Sequence, residues 1–437
     1  MTRLLYALGA LPAAVALPAF FLQIAPQALE SPQVSVLALV VTLGALRLLD
    51  VTATLFIGPL SDQAGFTARR KAGWWLGALM MLIGLAPLML ADATHHLLPL
   101  ALGGLLTTLG WAAMRVCHTA WGAELAPGYH ARTRYYTAAQ AVILAGLAAG
   151  IAAPWLAQEV TALRGQALFV LYLGVVAITL LCGLAMLRVP DTAAPAPGRG
   201  VGAALQRLAR LRAVRRLLLA HGLNVAAQAL PAALLLYLAG EVVGHPETAV
   251  PAAALHIAAA LLGLPLGSAL ARRYGKHNTW CASLVLTAAV LVWIALLVPG
   301  AVAPLLVLAT LTGLTLGVDW SLSAAIQADL TDVEAAYSGH RRSGLAFALW
   351  GVTGKIAIAV AAAVALMAAA YAGGPDPQTG HPGGALLLAA VAPAILKLLA
   401  MGLLWDFPVD EIRHEELQQR IAARRGDAER TAPPAGD

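Results

Sequence analysis

Charge is what this sequence has least of. Only 11% of its 437 residues are Asp, Glu, Lys or Arg, while 60% are apolar and the mean hydropathy is +0.77. Soluble domains carry about a quarter charged residues, so a water-soluble globule of this length is excluded. Cysteine is scarce as well: Cys117, Cys182 and Cys281 lie in or at the ends of apolar runs with no metal-type spacing, and they read as buried free thiols. The apolar runs lack the period of two that a membrane barrel requires. Also missing are a Ser/His/Asp spacing, a metal cluster and a nucleotide loop. The "GVTGK" that ends at Lys355 lacks the G-x-x-x-x-G-K-[ST] spacing of a phosphate loop. Nothing here indicates an enzyme, a metal or a cofactor.

What is present is a series of apolar runs about 20 residues long, the length a helix needs to cross a hydrocarbon core about 30 Å thick. Twelve occur, beginning near Leu4, Val34, Trp74, Leu97, Tyr136, Ala167, Leu217, Ala252, Trp280, Ala303, Gly344 and Gly384. They predict an all-α membrane protein of twelve transmembrane helices. The first, "LLYALGALPAAVALPAFFLQI", has no small-residue cleavage site after it and reads as a retained helix.

The remaining charges sort by loop. With a cytoplasmic N-terminus, 23 of the 28 Lys and Arg residues fall in inside loops or tails, one (Arg164) falls outside, and Arg47, Arg115, Lys355 and Lys397 lie within helices. The net charge of +6 therefore reports topology and not a nucleic-acid partner. The expected setting is an inner or plasma membrane with both termini cytoplasmic. The expected partners are the lipid bilayer and a small-molecule solute, with the chain acting as a monomer.

The stretch "RVPDTAAPAPGRGVGAALQRLARLRAVRR" divides the runs six and six. It separates a bundle at 1–188 from a bundle at 216–405, with a linker at 189–215 and a tail at 406–437. The tail starts as an amphipathic segment with Ile412, Leu417 and Ile421 on one side. Loops echo between the halves. "GPLSDQAGFTARRK" after the second run matches "GSALARRYGKHN" after the eighth, each a glycine, a short turn and a basic cluster. "ELAPGYHARTR" after the fourth matches "DLTDVEAAYSGHRR" after the tenth, each acidic and then basic. Such parallel duplication predicts two six-helix bundles related by a pseudo-twofold axis.

Charges inside a membrane helix cost at least ~2.5 kcal/mol each when unpaired, so each must face protein or a wet cavity. Arg47, Asp50 and Thr54 are spaced i, i+3, i+7 and share one helix face. They form either a self-neutralising pair or a protonatable carboxylate in a transport path. Arg115 has His118 at i+3. It reads as a structural cation, a built-in substitute for a bound ion, or a bidentate clamp for a carboxylate or phosphate. Asp319 is an extra carboxylate beside Trp320 and is expected to balance Arg115 or Lys355. His221, Asn224 and Gln228 form a polar stripe at i, i+3, i+7 that serves either helix packing or solute contact, and His256 stands alone.

Taken together, "RLLDVTATLFIGPLSDQAG", "AELAPGYHARTRYY", "ADLTDVEAAYSGHRRSGLAFALWGVTGK" and the initial "YALGAL" resemble the signatures of the glycoside-pentoside-hexuronide:cation symporters, the melibiose permease-like branch of the major facilitator superfamily. The resemblance implies alternating access between two bundles and a central solute site coupled to Na⁺, Li⁺ or H⁺. It also implies a conformational motif in the second loop, matched by Gly58, Asp62, Gly65, Arg69 and Arg70, in which glycine permits a tight turn and Asp62 caps or bridges to a neighbouring helix end. Arg47 and Lys355 match the family. Several positions depart from it: Ala13 and Ala14 stand where a lysine and a sugar-binding aspartate are expected, Thr54 where a second carboxylate is, Arg115 where a third is, and Gln140 where an arginine is.

These departures predict an anionic solute in place of a neutral galactoside, and coupling to H⁺ in place of Na⁺. Asp50, Thr54 and Arg115 are the expected coupling residues. Arg47, Arg115, His118, Gln140, Asn224, Gln228, Asp319, Trp320 and Lys355 are the expected solute contacts. Arg47, Asp50, Arg115, Asp319 and Lys355 are expected to form a single network. Two other functions fit the composition: a transporter of lysolipid-like anions on the same fold, and a non-transporting sensor or assembly factor. The loop charges give a direct test. A reporter fused after Asp437 that is active only in the periplasm should stay silent, and activity there would overturn the twelve-helix count.

Overall fold

The structure, a computed structural model, describes residues 1–18, 28, 34–63, 70–89, 96–126, 128–159, 167–190, 201–338, 342–371, 383–407, 416 and 419. Every regular element among them is helical. Eleven helices are long and apolar enough to span a membrane, and a shorter apolar helix covers Thr2–Ala16. Gly65, Arg69, residues 372–382 and the tail positions Ile412, Leu417 and Ile421 lie outside the described residues.

The elements are α1 (Thr2–Leu8), α2 (Leu11–Pro18), α3 (Val36–Ser61), α4 (Arg70–Met89), α5 (Leu97–Leu125), α6 (Tyr129–Glu159) and α7 (Ala167–Met186), then α8 (Val201–Arg210) in the connecting stretch. The second set is α9 (Arg212–Ala233), α10 (Ala249–Tyr274), α11 (Lys276–Val292), α12 (Val302–Ser338), α13 (Ser343–Tyr371) and α14 (Gly384–Leu404). One apolar cluster runs from Tyr6 to Val189 and belongs to α1–α7. Two further clusters belong to the second set. The sets meet along α3 against α13, α5 against α13, and α6 against α10 and α12. The three cysteines are buried and free.

The first predicted helix is interrupted. Pro12 has no amide hydrogen for the carbonyl four residues back, and the chain turns at Gly9 and Ala10 before α2 begins. The indole of Trp74 takes up a carbonyl at this break, its Nε1 donating to Gly9 O at 2.9 Å.

Lipid offers no hydrophobic drive for helices to pair, so close contact depends on small residues. On α4 and α5, a Cβ added at Gly77 would lie 2.7 Å from Gly110 O, and one at Gly84 would lie 2.6 Å from Gly103 O. On α10 and α12, Gly263 and Gly317 sit with equal intimacy, a Cβ at Gly317 reaching within 2.8 Å of Leu264 N. Gly58 corrects a sequence expectation. It is not in a turn but buried inside α3, where a Cβ would overlap Ala348 and approach Gly344 O at 2.8 Å. Its lack of a side chain lets α13 reach α3 across the two halves. Because there is no room at these contacts, Gly84→Val should destabilise the fold by about 1–3 kcal/mol. Differential scanning fluorimetry of the purified protein should show a lower Tm, and an unchanged Tm would mean that α4 and α5 can separate freely.

Candidate functional site

Asp50 sits past the middle of α3, 3% exposed, with two bases against its carboxylate. Arg47 Nη1 donates to Oδ2 at 3.2 Å, and the Lys355 ammonium, arriving from α13 in the other half, donates to Oδ1. Arg47 Nη2 donates in turn to the Lys355 carbonyl at 3.3 Å. Thr54, one turn on, donates to Asp50 O at 2.7 Å and accepts from Lys355 Nζ at 2.6 Å. The ammonium also lies 4.9 Å from the centroid of the Trp111 ring, a cation–π distance. The i, i+3, i+7 spacing read from sequence thus converges on one partner, and that partner crosses the interface between the halves.

Between the halves is a cavity of about 700 Å³ whose wall includes Thr54, Trp111, Arg115, Gln140, His221, Gln228, His256, Trp320, Trp350 and Lys355. No carboxylate pairs with Arg115 among the described residues. Of the positions expected to contact solute, Arg115, Gln140, Gln228, Trp320 and Lys355 reach this wall, and Arg47, His118, Asn224 and Asp319 do not. His118 faces the break in the first helix, donating from Nε2 to Tyr6 O at 2.8 Å, with its ring stacked on Tyr6 at 4.2 Å. Tyr6 answers by donating to His118 O at 3.2 Å. His118 is therefore a packing residue, buried at 2% exposure.

The expected single network is in fact two. Asp319 pairs with Lys397 of α14 at 2.7 Å and not with Arg115 or Lys355. Its carboxylate also accepts from Ser283 Oγ at 2.9 Å and from Gln228 Nε2 at 3.0 Å, while Lys397 donates to Asn224 Oδ1 at 2.7 Å. The cause is helical phase: Trp320 faces the cavity, so its neighbour Asp319 turns into the second bundle. Both oxygens of Asp319 accept hydrogen bonds and Lys397 donates two, the kind of matching a buried pair requires. Lys397, noted in sequence only as an intramembrane charge, was the missing partner.

At the end marked by the loops after α3, α5, α10 and α12, charged contacts join the two halves. Asp62 accepts from the amides of Gly344 and Leu345 at 2.8 Å each, capping the first turn of α13 from the other half. Arg70 holds it in place, donating to Asp62 at 3.0 Å and Glu124 at 2.7 Å. The second closure mirrors the first. Arg132 at the start of α6 donates to Asp332 at 2.6 Å and Asp329 at 3.2 Å on α12, and Lys276 donates to Asp329 at 2.6 Å while lying 3.6 Å over the Tyr129 ring. These residues come from the loops whose echo was visible in sequence, so the repeat builds two related seals at the end where basic residues cluster.

Two sets of membrane helices, a charged cavity between them and paired seals at one end define a major facilitator transporter. The chain belongs to the MFS/sugar transport protein family, whose model matches residues 3–411, and it is a multi-pass secondary transporter. The fold is similar to the crystal structure of the fucose:proton symporter FucP of E. coli, with TM-score 0.73 and 17% identity over 93% of this chain and 98% of that one. It is also similar to an outward-facing bacterial homologue of the iron transporter ferroportin (TM-score 0.71, 15% identity, 93% and 99% covered). The proton:xylose symporter XylE, solved with 6-bromo-6-deoxy-D-glucose, matches with TM-score 0.66 and 15% identity over 94% and 95% of the two chains. A search of curated proteins finds no match.

The seals make a testable claim. In a chain stripped of its native cysteines, Ala328→Cys lies beneath the Arg132 contacts, where Ala328 is fully buried. Removing Arg132 breaks a buried pair at a cost of about 3–5 kcal/mol. Arg132→Ala should therefore raise alkylation of that cysteine by an impermeant maleimide at least about tenfold, and an unchanged rate would show that other contacts hold the halves together.

Proposed function

We propose that this chain is an H⁺-coupled transporter of a small organic anion, with a sugar acid such as a hexuronide as the first class to try. The observation that carries the proposal is the state of Arg115. It lines the central cavity without a carboxylate, whereas the other cavity cation, Lys355, is engaged by Asp50. Two bases, Arg115 and Lys355, reach the cavity wall, and the one acid paired there, Asp50, is shared between Lys355 and Arg47 behind it, because Asp319 is neutralised elsewhere. An arriving carboxylate is stabilised in such a site more than a neutral sugar of equal size, and a guanidinium offers it two parallel donors. Gln140 and Gln228 supply neutral donors and acceptors for hydroxyls, and Trp111, Trp320 and Trp350 supply faces for a ring.

Asp50 is the coupling group in this reading. A proton placed on it neutralises the charge that holds Lys355 and Arg47, releasing a contact between α3 and α13 and so linking proton binding to movement of the halves. The two similar symporters are proton-coupled by name, which supports the same ion here. With the basic end cytoplasmic, the sealed end faces inward and the cavity is reached from outside, in an inner or plasma membrane.

Two variants test the reading in proteoliposomes. Arg115→Lys keeps the charge but loses the two-pronged donor, and should weaken uptake of glucuronate about tenfold, the value of one charged hydrogen bond. Arg115→Ala should remove the preference for glucuronate over glucose. Asp50→Asn should abolish accumulation driven by a pH gradient while leaving exchange of solute across the membrane. If Arg115→Ala prefers the acid as strongly as the native chain, anion selection lies elsewhere.

A further inference from the structure

A second cavity, about 320 Å³ in volume, lies inside the second bundle among α9, α10, α11, α12 and α14. Gln228, Ala232, His256 and Leu316 line both this chamber and the central cavity, so those side chains form the boundary that the two spaces share. Its far wall is aliphatic: Leu235, Leu238, Leu291, Ile294, Leu305 and Leu308.

Apart from Gln228 Oε1 and His256 Nε2, on residues of the wall shared with the central cavity, the polar groups of the chamber are already committed. Lys397 is held by Asp319 and Asn224, Gln228 Nε2 by Asp319, Thr287 Oγ1 donates to Ser283 O, and Thr312 Oγ1 donates to Leu308 O. His256 Nδ1 lies 3.0 Å from Ala309 O, which can only accept, so this nitrogen carries the ring hydrogen and donates inward. A solute group in the chamber therefore gains little by being polar. Apolar cavities of this kind are filled by apolar matter, and one of about 150 Å³ takes up benzene. At roughly twice that size the chamber has room for an apolar arm of about ten carbons.

We propose that the chamber is a subsite for the apolar arm of the transported anion. The charged head sits at Arg115 in the central cavity, and the arm passes His256 and Gln228 into the second bundle. The solute class is then an amphiphilic anion, such as an alkyl or aryl glycoside of a sugar acid. This rests on the reading of Arg115 as the anion site but depends on different residues. The chamber lies wholly within one bundle, so an arm placed there travels with that bundle while the seals between the halves break and re-form.

The experiment is titration calorimetry of the full chain in lipid nanodiscs, with empty nanodiscs subtracted, using methyl, butyl, hexyl and octyl β-glucuronides and the matching β-glucosides. Each methylene buried should tighten glucuronide binding about fourfold. Ala253→Phe, which fills the chamber from α10, should cost octyl glucuronide at least about tenfold while leaving methyl glucuronide unchanged. Leu308→Ala, which enlarges it, should increase the gain for octyl over hexyl and serves where the larger side chain prevents folding. Chain-length-independent binding of the glucuronides overturns the chamber and leaves the Arg115 reading intact. A length effect that survives Ala253→Phe also overturns it, since the arm or a bilayer lipid chain then lies elsewhere. Equal, length-dependent binding of glucosides and glucuronides supports the chamber and overturns the Arg115 reading.

Discussion

The contact of Lys355 with Asp50 and Thr54 is the constraint on which the rest of the site depends. A carboxylate buried in an apolar helix is tolerable only with its charge matched, and Asp50 is matched twice, by Arg47 on its own helix and by Lys355 from the other half. The lysine nitrogen lies against oxygens of both Asp50 and Thr54, the positions where the resemblance to the melibiose permease branch places two cation-binding carboxylates. The protein's own ammonium thus occupies the space between them. Because the contact joins α3 to α13, the same charges that satisfy burial also tie the two halves together.

The other charges follow from that one. With Lys355 committed to Asp50, and Asp319 committed to Lys397, Arg115 faces the cavity with no described carboxylate to balance it. Asp319 and Asp50, both buried among the membrane helices, play different parts. Asp319 is locked in a fully matched cluster inside one bundle, where breaking any bond strands another group. Asp50 lies between bundles, where the partner can leave with its helix. The seals behave like Asp50: Asp62 on the amides of Gly344 and Leu345, and Arg132 on Asp329 and Asp332, all cross the interface and all must part for the cavity to change sides.

The sequence made the helices legible because lipid imposes a length on them, and the apolar runs fall on the spans found. It also showed the Arg47–Asp50–Thr54 face, since residues at i, i+3 and i+7 on one helix have no choice but to line up. Asp62 was readable as a bridge to another helix end through its motif. What one helix's spacing could not show was rotation relative to the others. Asp319 and Trp320 are neighbours in sequence, yet one is buried within a bundle and the other faces the cavity. His118 carries the polarity expected of a solute contact, but its Nε2 is taken up by the Tyr6 carbonyl and its ring face by the Tyr6 ring. His256, set aside as a lone polar residue, stands at the junction of two cavities. The seals were foreshadowed by the loop echo, though only the fold shows that Asp62 meets helix amides of the other half and that Arg132 meets acids of the other half.

The proposed coupling of transport to H⁺ at Asp50 requires that Lys355, and no metal cation, fill the space beside Asp50 and Thr54. Thermal stability of the purified chain in NaCl against choline chloride, for the native protein and for Lys355→Gln, measures this directly. The native protein should show no difference between the two salts. Lys355→Gln, which vacates the space beside Asp50 and Thr54 while leaving Arg47 in place, should be stabilised by Na⁺ or Li⁺ relative to choline, if by less than a site with two carboxylates. A native protein whose Tm rises with Na⁺ at constant ionic strength would contradict the account, because a cation would then be reaching a site that the ammonium is said to fill.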